Sequence, residues 1–195
     1  MTPFFSPEPH DFYRIPIFMA GVNRRMCELA GELCEGFHVH PLHTRRYLGE
    51  VILPNIETGL AKSGRRRAGI ELSSSIFVIP TDEPRLAAAY EAEVRQQISF
   101  YASTPPYRPV FDLEGWGETA DQLRTMAMRG RWSEMPALVT DDMLERLALR
   151  GTWAELPEKV LRKYDGLLDR ISYYFPIVPG ENEENWRATV AGFKK

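Results

Sequence analysis

The chain has 195 residues, a size typical of about one domain, with 44% hydrophobic and 26% charged residues, an ordinary composition for a water-soluble globular protein. A formal net charge of -3 gives no electrostatic reason to expect nucleic acid or an anionic membrane as partner. No run approaches the ~20 apolar residues of a membrane span, and the N-terminus lacks a charged-then-apolar leader pattern, so a cytoplasmic protein is expected.

Residues 1–13, with three prolines and four aromatics and no periodicity, predict an extended, packed lead-in. Arg14 to Val22 is nearly continuously apolar, as in a parallel strand covered on both faces. Asn23 to Glu35 follows as a helix, with Met26, Leu29, Ala30, Leu33 and Cys34 on a three-and-four spacing. Cys27 and Cys34 lie on one face of it but two turns apart, roughly 10 Å, which is too far for a disulfide and predicts buried thiols.

The junction Ala20-Gly21-Val22-Asn23 raises two readings. In one, Gly21 lets a ligand approach the main chain while the next helix offers its unpaired amides and positive dipole end to an anion such as a phosphate. In the other, Gly21 serves only the geometry of a strand-to-helix turn.

A short strand from Phe37 to about Pro41 comes next, and Thr44 caps a helix that runs to Lys62, kinked or broken by Pro54 and closed by Gly64. "GRRRAG" predicts a solvated basic corner. Residues 70–81 give a strand ending at Pro80, and a helix from Asp82-Glu83-Pro84 to about Ala102 follows. Residues 103–117 hold several prolines and glycines and predict irregular structure. Short helices are expected over 118–150 and another over 153–168. A final strand over 170–179 precedes a polar helix over 181–193.

The order is strand-helix four times, with a long helical and irregular insert (103–152) before the last strand. That alternation argues for an α/β fold with a parallel sheet, in one domain over 1–195.

"HVHPLH" holds three of the 4 histidines. His38 and His40 point to one side of a strand and His43 lies beyond it, so zinc ligation, a polar pocket lining by His40 and His43, and plain structural roles are all open. The pocket lining is the expectation, without a metal. "YASTPPYRPVF" offers Tyr101, Tyr107 and Arg108 as a substrate lid, or a stiff structural connection. Tyr173-Tyr174-Phe175 is expected to pack in the core.

Together, "TPFFSP", "IFMAGVNRRMCELAGELCEGFHVHPLHTRRYL", "RQQISFYASTPPYRPVFDLEGWG" and "DRISYYFPIVP" resemble the luciferase-like oxidoreductase superfamily, and within it the branch associated with the deazaflavin coenzyme F-420. The resemblance implies a (β/α)8 barrel with F-420, or alternatively FMN, at the C-terminal mouth, acting on a small organic molecule by hydride transfer or oxygenation. It assigns Ala20, Gly21, Val22 and Asn23 to the cofactor phosphate, and leaves His40, His43 and Arg108 as candidate substrate contacts. A full barrel takes eight strands and typically about 250 residues. The four strand signals here match only the second half, so a C-terminal half-barrel is expected, with Met1 an internal methionine. The resemblance supplies no catalytic acid or base. The rival expectation is a non-catalytic half-barrel, or a subunit that needs a complementary chain or a second copy to hide its edges and an apolar inner face.

Overall fold

The computed structural model describes residues 15–176 and 178–193, so the lead-in expected over 1–13 lies outside the described residues. Apolar stretches separated by amphipathic helices fold as parallel strands. β1 (Phe18–Gly21), β2 (Gly36–Val39), β3 (Glu71–Pro80), β4 (Ala148–Gly151) and β5 (Arg170–Tyr173) all run the same way. β1 pairs with β2, and β2 with the start of β3. The middle of β3 pairs with β5, and its last four residues, Phe77 to Pro80, pair with β4.

Four of these strands answer the four expected ones, with shorter bounds. β4 is a correction: it falls inside a stretch expected to be helical. Its sequence, Ala-Leu-Arg-Gly, is too short to show a period. It becomes a strand because the second half of the ten-residue β3 has backbone groups that need a partner.

The helices are α1 (Arg24–Leu33), α2 (Arg45–Tyr47), α3 (Leu53–Lys62), α4 (Pro84–Ala102), α5 (Arg108–Glu114), α6 (Gly117–Met128), α7 (Asp141–Leu147), α8 (Leu156–Tyr164) and α9 (Glu183–Gly192). None of them is long and apolar enough to cross a membrane. A π-helical turn, Leu48–Ile52, joins α2 to α3. Pro54 therefore does not break a single helix. It sits in the first turn of α3, where its missing N–H costs little, and the widened turn lies just before it.

Residues 103–117 are more regular than expected. Pro105 opens a 3-10 turn, Pro109 lies in the first turn of α5, and Gly115 ends that helix at φ +80°. Prolines in first turns start helices here and do not block them. The basic corner is also corrected. Arg65 donates to the carbonyls of Gly31 (3.1 Å), Cys34 (2.7 Å) and Gly69 (2.6 Å), tying α1 to the turn before β3. Arg67 donates to Ile70 O and pairs with Asp169 at 2.7 Å.

One face of the sheet is dry. Phe37, Val39, Leu72 and Ile76 are buried beneath the helices, and Cys27 and Cys34 are buried free thiols as expected. α1 and α3 touch through glycines: a Cβ on Gly31 would lie 2.2 Å from Ile56 O, and one on Gly59 1.9 Å from Glu28 O. Tyr174 and Phe175 stack on Phe77, and Tyr173 on Trp186, as core packing.

The other, concave face corrects the expectation of uncovered apolar residues. Glu71 pairs with Arg170 at 2.9 Å, His38 Nδ1 lies 2.6 Å from Ser73 Oγ, and Ser75 Oγ lies 2.8 Å from Ser172 Oγ. Phe18 on this face is apolar and rests against the His38 ring, 5.4 Å between centroids, and beyond Ser75 the same side of β3 carries Phe77 and Ile79, both buried. Ionic and hydroxyl groups that satisfy one another can meet water without cost, so this face needs no apolar cover.

Candidate functional site

Strand register brings the site together. Ala20 is opposite His38, His38 opposite Ser73, and Ser73 opposite Arg170, so one row crosses all four strands of the concave face. A cavity of about 520 Å³ lies over this row. Ala20, Gly21 and Val22 form one wall, His38, His40 and Pro41 the floor, and Ser73, Ser75, Arg170 and Ser172 the far side, with Tyr107 leaning in from the 3-10 turn. Its volume falls in the range of small-molecule sites.

Asn23 is not in the wall. It caps α1, its side-chain oxygen accepting from Met26 N at 3.0 Å. Gly21 has a local reason of its own, since a Cβ there would lie 2.6 Å from the Met26 Cβ and 3.4 Å from the Phe37 ring. The glycine lets β1 and the first turn of α1 pack closely. The first turn of α1, which follows this wall in the chain, holds no acidic residue to oppose an anion. On the opposite side the Arg170 guanidinium is paired with Glu71 and the Ser73, Ser75 and Ser172 hydroxyls are engaged with His38 and with each other, so an anionic group on a polar chain would take these donors by exchange with their present partners.

His40 is held between two tyrosines, with ring centroids 4.5 Å from Tyr101 and 4.2 Å from Tyr107. Its Nδ1 accepts from Leu42 N at 3.2 Å, which leaves the proton on Nε2 in the neutral ring. Burial pushes its pKa down to about 4, so at neutral pH it is an uncharged donor. Tyr101 in turn shares a 2.7 Å hydroxyl contact with Tyr174, whose hydroxyl donates to Gln97 at 3.1 Å. These contacts fix the ring from both sides.

His43 goes elsewhere. It is buried on the helix side, edge-on to Tyr164, with Nε2 at 3.0 Å from Ser74 Oγ. Ser74 spends its proton on backbone carbonyls, so His43 Nε2 donates and Nδ1 is a bare acceptor with no partner. Arg108 is also outside the cavity: its guanidinium pairs with Asp112 at 2.6 Å and with Asp121. The structure thus unites Ala20, Gly21, Val22 and His40, and leaves out Asn23, His43 and Arg108. No group of three or more His, Cys, Asp or Glu side chains among the described residues is placed to hold a metal ion.

Ser73, Ser172 and Arg170 were missed by sequence reasoning. Alternation along β3 and β5 was the available signal, but it identifies a shared face only after the register is known.

Residues 1–170 match the model of the luciferase-like monooxygenase family. The chain belongs to that family. A protein of Mycobacterium tuberculosis named only as uncharacterised is 36% identical over 196 residues, a match covering 100% of this chain and 56% of that protein. The 5,10-methylenetetrahydromethanopterin reductase of Archaeoglobus fulgidus is 29% identical over 133 residues, 65% of this chain and 38% of the reductase.

Among solved structures, the coenzyme F-420-dependent tetrahydromethanopterin reductase of Methanopyrus kandleri superposes with a TM-score of 0.63 at 19% identity, covering 91% of this chain and 49% of that one. An F-420-dependent secondary alcohol dehydrogenase, solved with an F-420–acetone adduct, gives 0.53 at 16% identity, covering 82% and 43%. The chain spans about half the length of the curated luciferase-like relatives it matches over its whole length, 56% of each. The chain therefore matches a little under half of each of these two structural neighbours in this fold.

Proposed function

We propose that this chain is the C-terminal half of a luciferase-like (β/α)8 oxidoreductase that holds coenzyme F-420, with FMN as the alternative, and acts on a small organic substrate. The observation that carries the reading is the cavity over the Ala20–His38–Ser73–Arg170 row, on whose wall the β1–α1 turn lies. Family membership and the F-420-dependent neighbours support it.

When bound, the cofactor supplies the hydride chemistry. The chain's own residues bind and orient. The Ala20-Gly21-Val22 turn suits the phosphate, with Arg170 able to reach it on leaving Glu71, and the serine hydroxyls suit a polar linker. His40, neutral and clamped, offers an Nε2–H to substrate or cofactor.

The test is titration with F-420 and, separately, with FMN, followed by fluorescence. F-420 binding is expected to weaken at least about tenfold, ~1.4 kcal/mol, in Ala20→Asp, which sets a carboxylate on an exposed position of the wall without disturbing the core. If neither cofactor binds, even with a complementary half-barrel supplied, the proposal fails. A second reading, a subunit completed by another chain, is favoured by the outer edges of β1 and β5, which have no strand partner among the described residues.

A further inference from the structure

We infer that two copies of this chain close on each other into one cylinder whose wall is the β1-β2-β3-β5 sheet of each copy, β5 of each copy pairing with β1 of the other, while β4 stays on the far end of β3. The inference rests on the half-barrel reading above and extends it to the occupant of the two open edges.

Both edges are built as seams. Beside β1, Ile15 and Ile17 are 75% and 61% exposed, and Leu29 and Leu33 of α1 are 40% and 61% exposed on the described surface. Beside β5, an apolar groove of about 730 Å³ runs between α8 and α9, with Leu161, Ile171, Tyr173, Trp186, Val190 and Phe193 on its walls. Isolated exposed apolar residues are ordinary, whereas two strips that flank unpaired strands of one sheet mark surfaces meant for cover.

Charge selects the occupant. Arg24 and Arg25 open α1, the helix after β1, and are exposed; Glu181, Glu183 and Glu184 lie around the start of α9, the helix after β5, and are exposed. Both groups lie past the C-terminal ends of their strands, so a parallel β5–β1 joint brings the arginines of one copy and the glutamates of the other to the same end of the cylinder. Arg25 and Glu184 have no ion-pair partner among the described residues. The opposite signs reside on the two edges of the same chain, which makes the surface self-complementary. One two-fold axis then forms both joints at once and covers the outer edges of β1 and β5 in both copies. The polar concave faces become the lining, and the cavity gains the wall it lacks.

Sedimentation equilibrium of the full chain at micromolar concentration tests this. The expected mass is twice the 22.4 kDa of the chain. Ile17→Lys and Val190→Glu, both at exposed positions, are each expected to raise the dimer dissociation constant at least about tenfold with an unchanged circular dichroism spectrum. Arg25→Glu is expected to weaken the dimer, and adding Glu184→Arg in the same chain to restore it, a rescue that misfolding does not mimic. A cooperative-melting 22.4 kDa monomer overturns the inference, as does a dimer indifferent to all four substitutions. So does preferential capture of the first half of a longer relative, which would assign the edges to a different chain. The readout is mass, so the inference fails or stands independently of cofactor binding.

Discussion

Gly21 is the residue whose meaning changes most between sequence and structure. From sequence it signals either ligand access or turn geometry, and the coordinates add a contact no local pattern contains, the Met26 Cβ of the next helix at 2.6 Å from where a Cβ would stand. Gly21→Ala is expected to destabilise by ~1–3 kcal/mol in urea denaturation through overpacking. Gly59→Ala is expected to cost more, because its Cβ would meet a backbone oxygen at 1.9 Å and α1 and α3 must separate to admit it. His43 makes a pH prediction. Burial pushes its pKa down to about 3 from the usual 6.5, so the unfolded chain binds the extra proton and stability rises with pH. The contribution is complete above about 6.5 and is lost as pH falls toward 3, at no more than ~1.4 kcal/mol per unit. Denaturation curves at pH 7 and pH 5 are expected to show a larger loss in the wild type than in His43→Gln. The histidine cluster was legible as a cluster. Its division between cavity and core was not, because Pro41 and Leu42 turn the chain over the sheet edge, and only Ser74 and Tyr164 show where His43 lands.

Among the elements, the helices and strands with their own period were legible, and those defined by a neighbour were not. α1, α4 and β3 follow from apolar spacing, first-turn proline and β-branched runs. β4 exists through pairing with β3, and α5 is concealed by prolines that also belong to loops. Thr44 shows how elements are joined. Its hydroxyl accepts from Tyr47 N at 3.0 Å to cap α2 and donates to Glu114, whose buried carboxylate also takes Arg146 at 2.7 Å. Thr44→Val keeps the shape but removes the cap and leaves a buried carboxylate short of a donor. A loss of about 2 kcal/mol is expected, read from the denaturant midpoint at constant m-value. The cap was anticipated from sequence; the distant glutamate, 70 positions on, was beyond any local window.

At the scale of the molecule, alternation of strands and helices was enough for an α/β fold with a parallel sheet, while the polarity of the concave face required the register. Glu71, Ser73, Ser75, Arg170 and Ser172 are unremarkable in their own segments and become a surface only when β3 and β5 lie side by side. Hydrogen exchange is expected to be slowest in β3, which has neighbours along its whole length, and faster in β1 and β5. Protection of β1 and β5 is expected to rise with protein concentration while that of β3 stays constant; equal protection at all concentrations would argue that the edges are never covered. The self-satisfied hydroxyls and ion pair of the hollow side bear on what drives assembly. A hollow side already content in water gains nothing from being covered, so in the proposed pair the reward for joining falls on the apolar strips along the two rims alone.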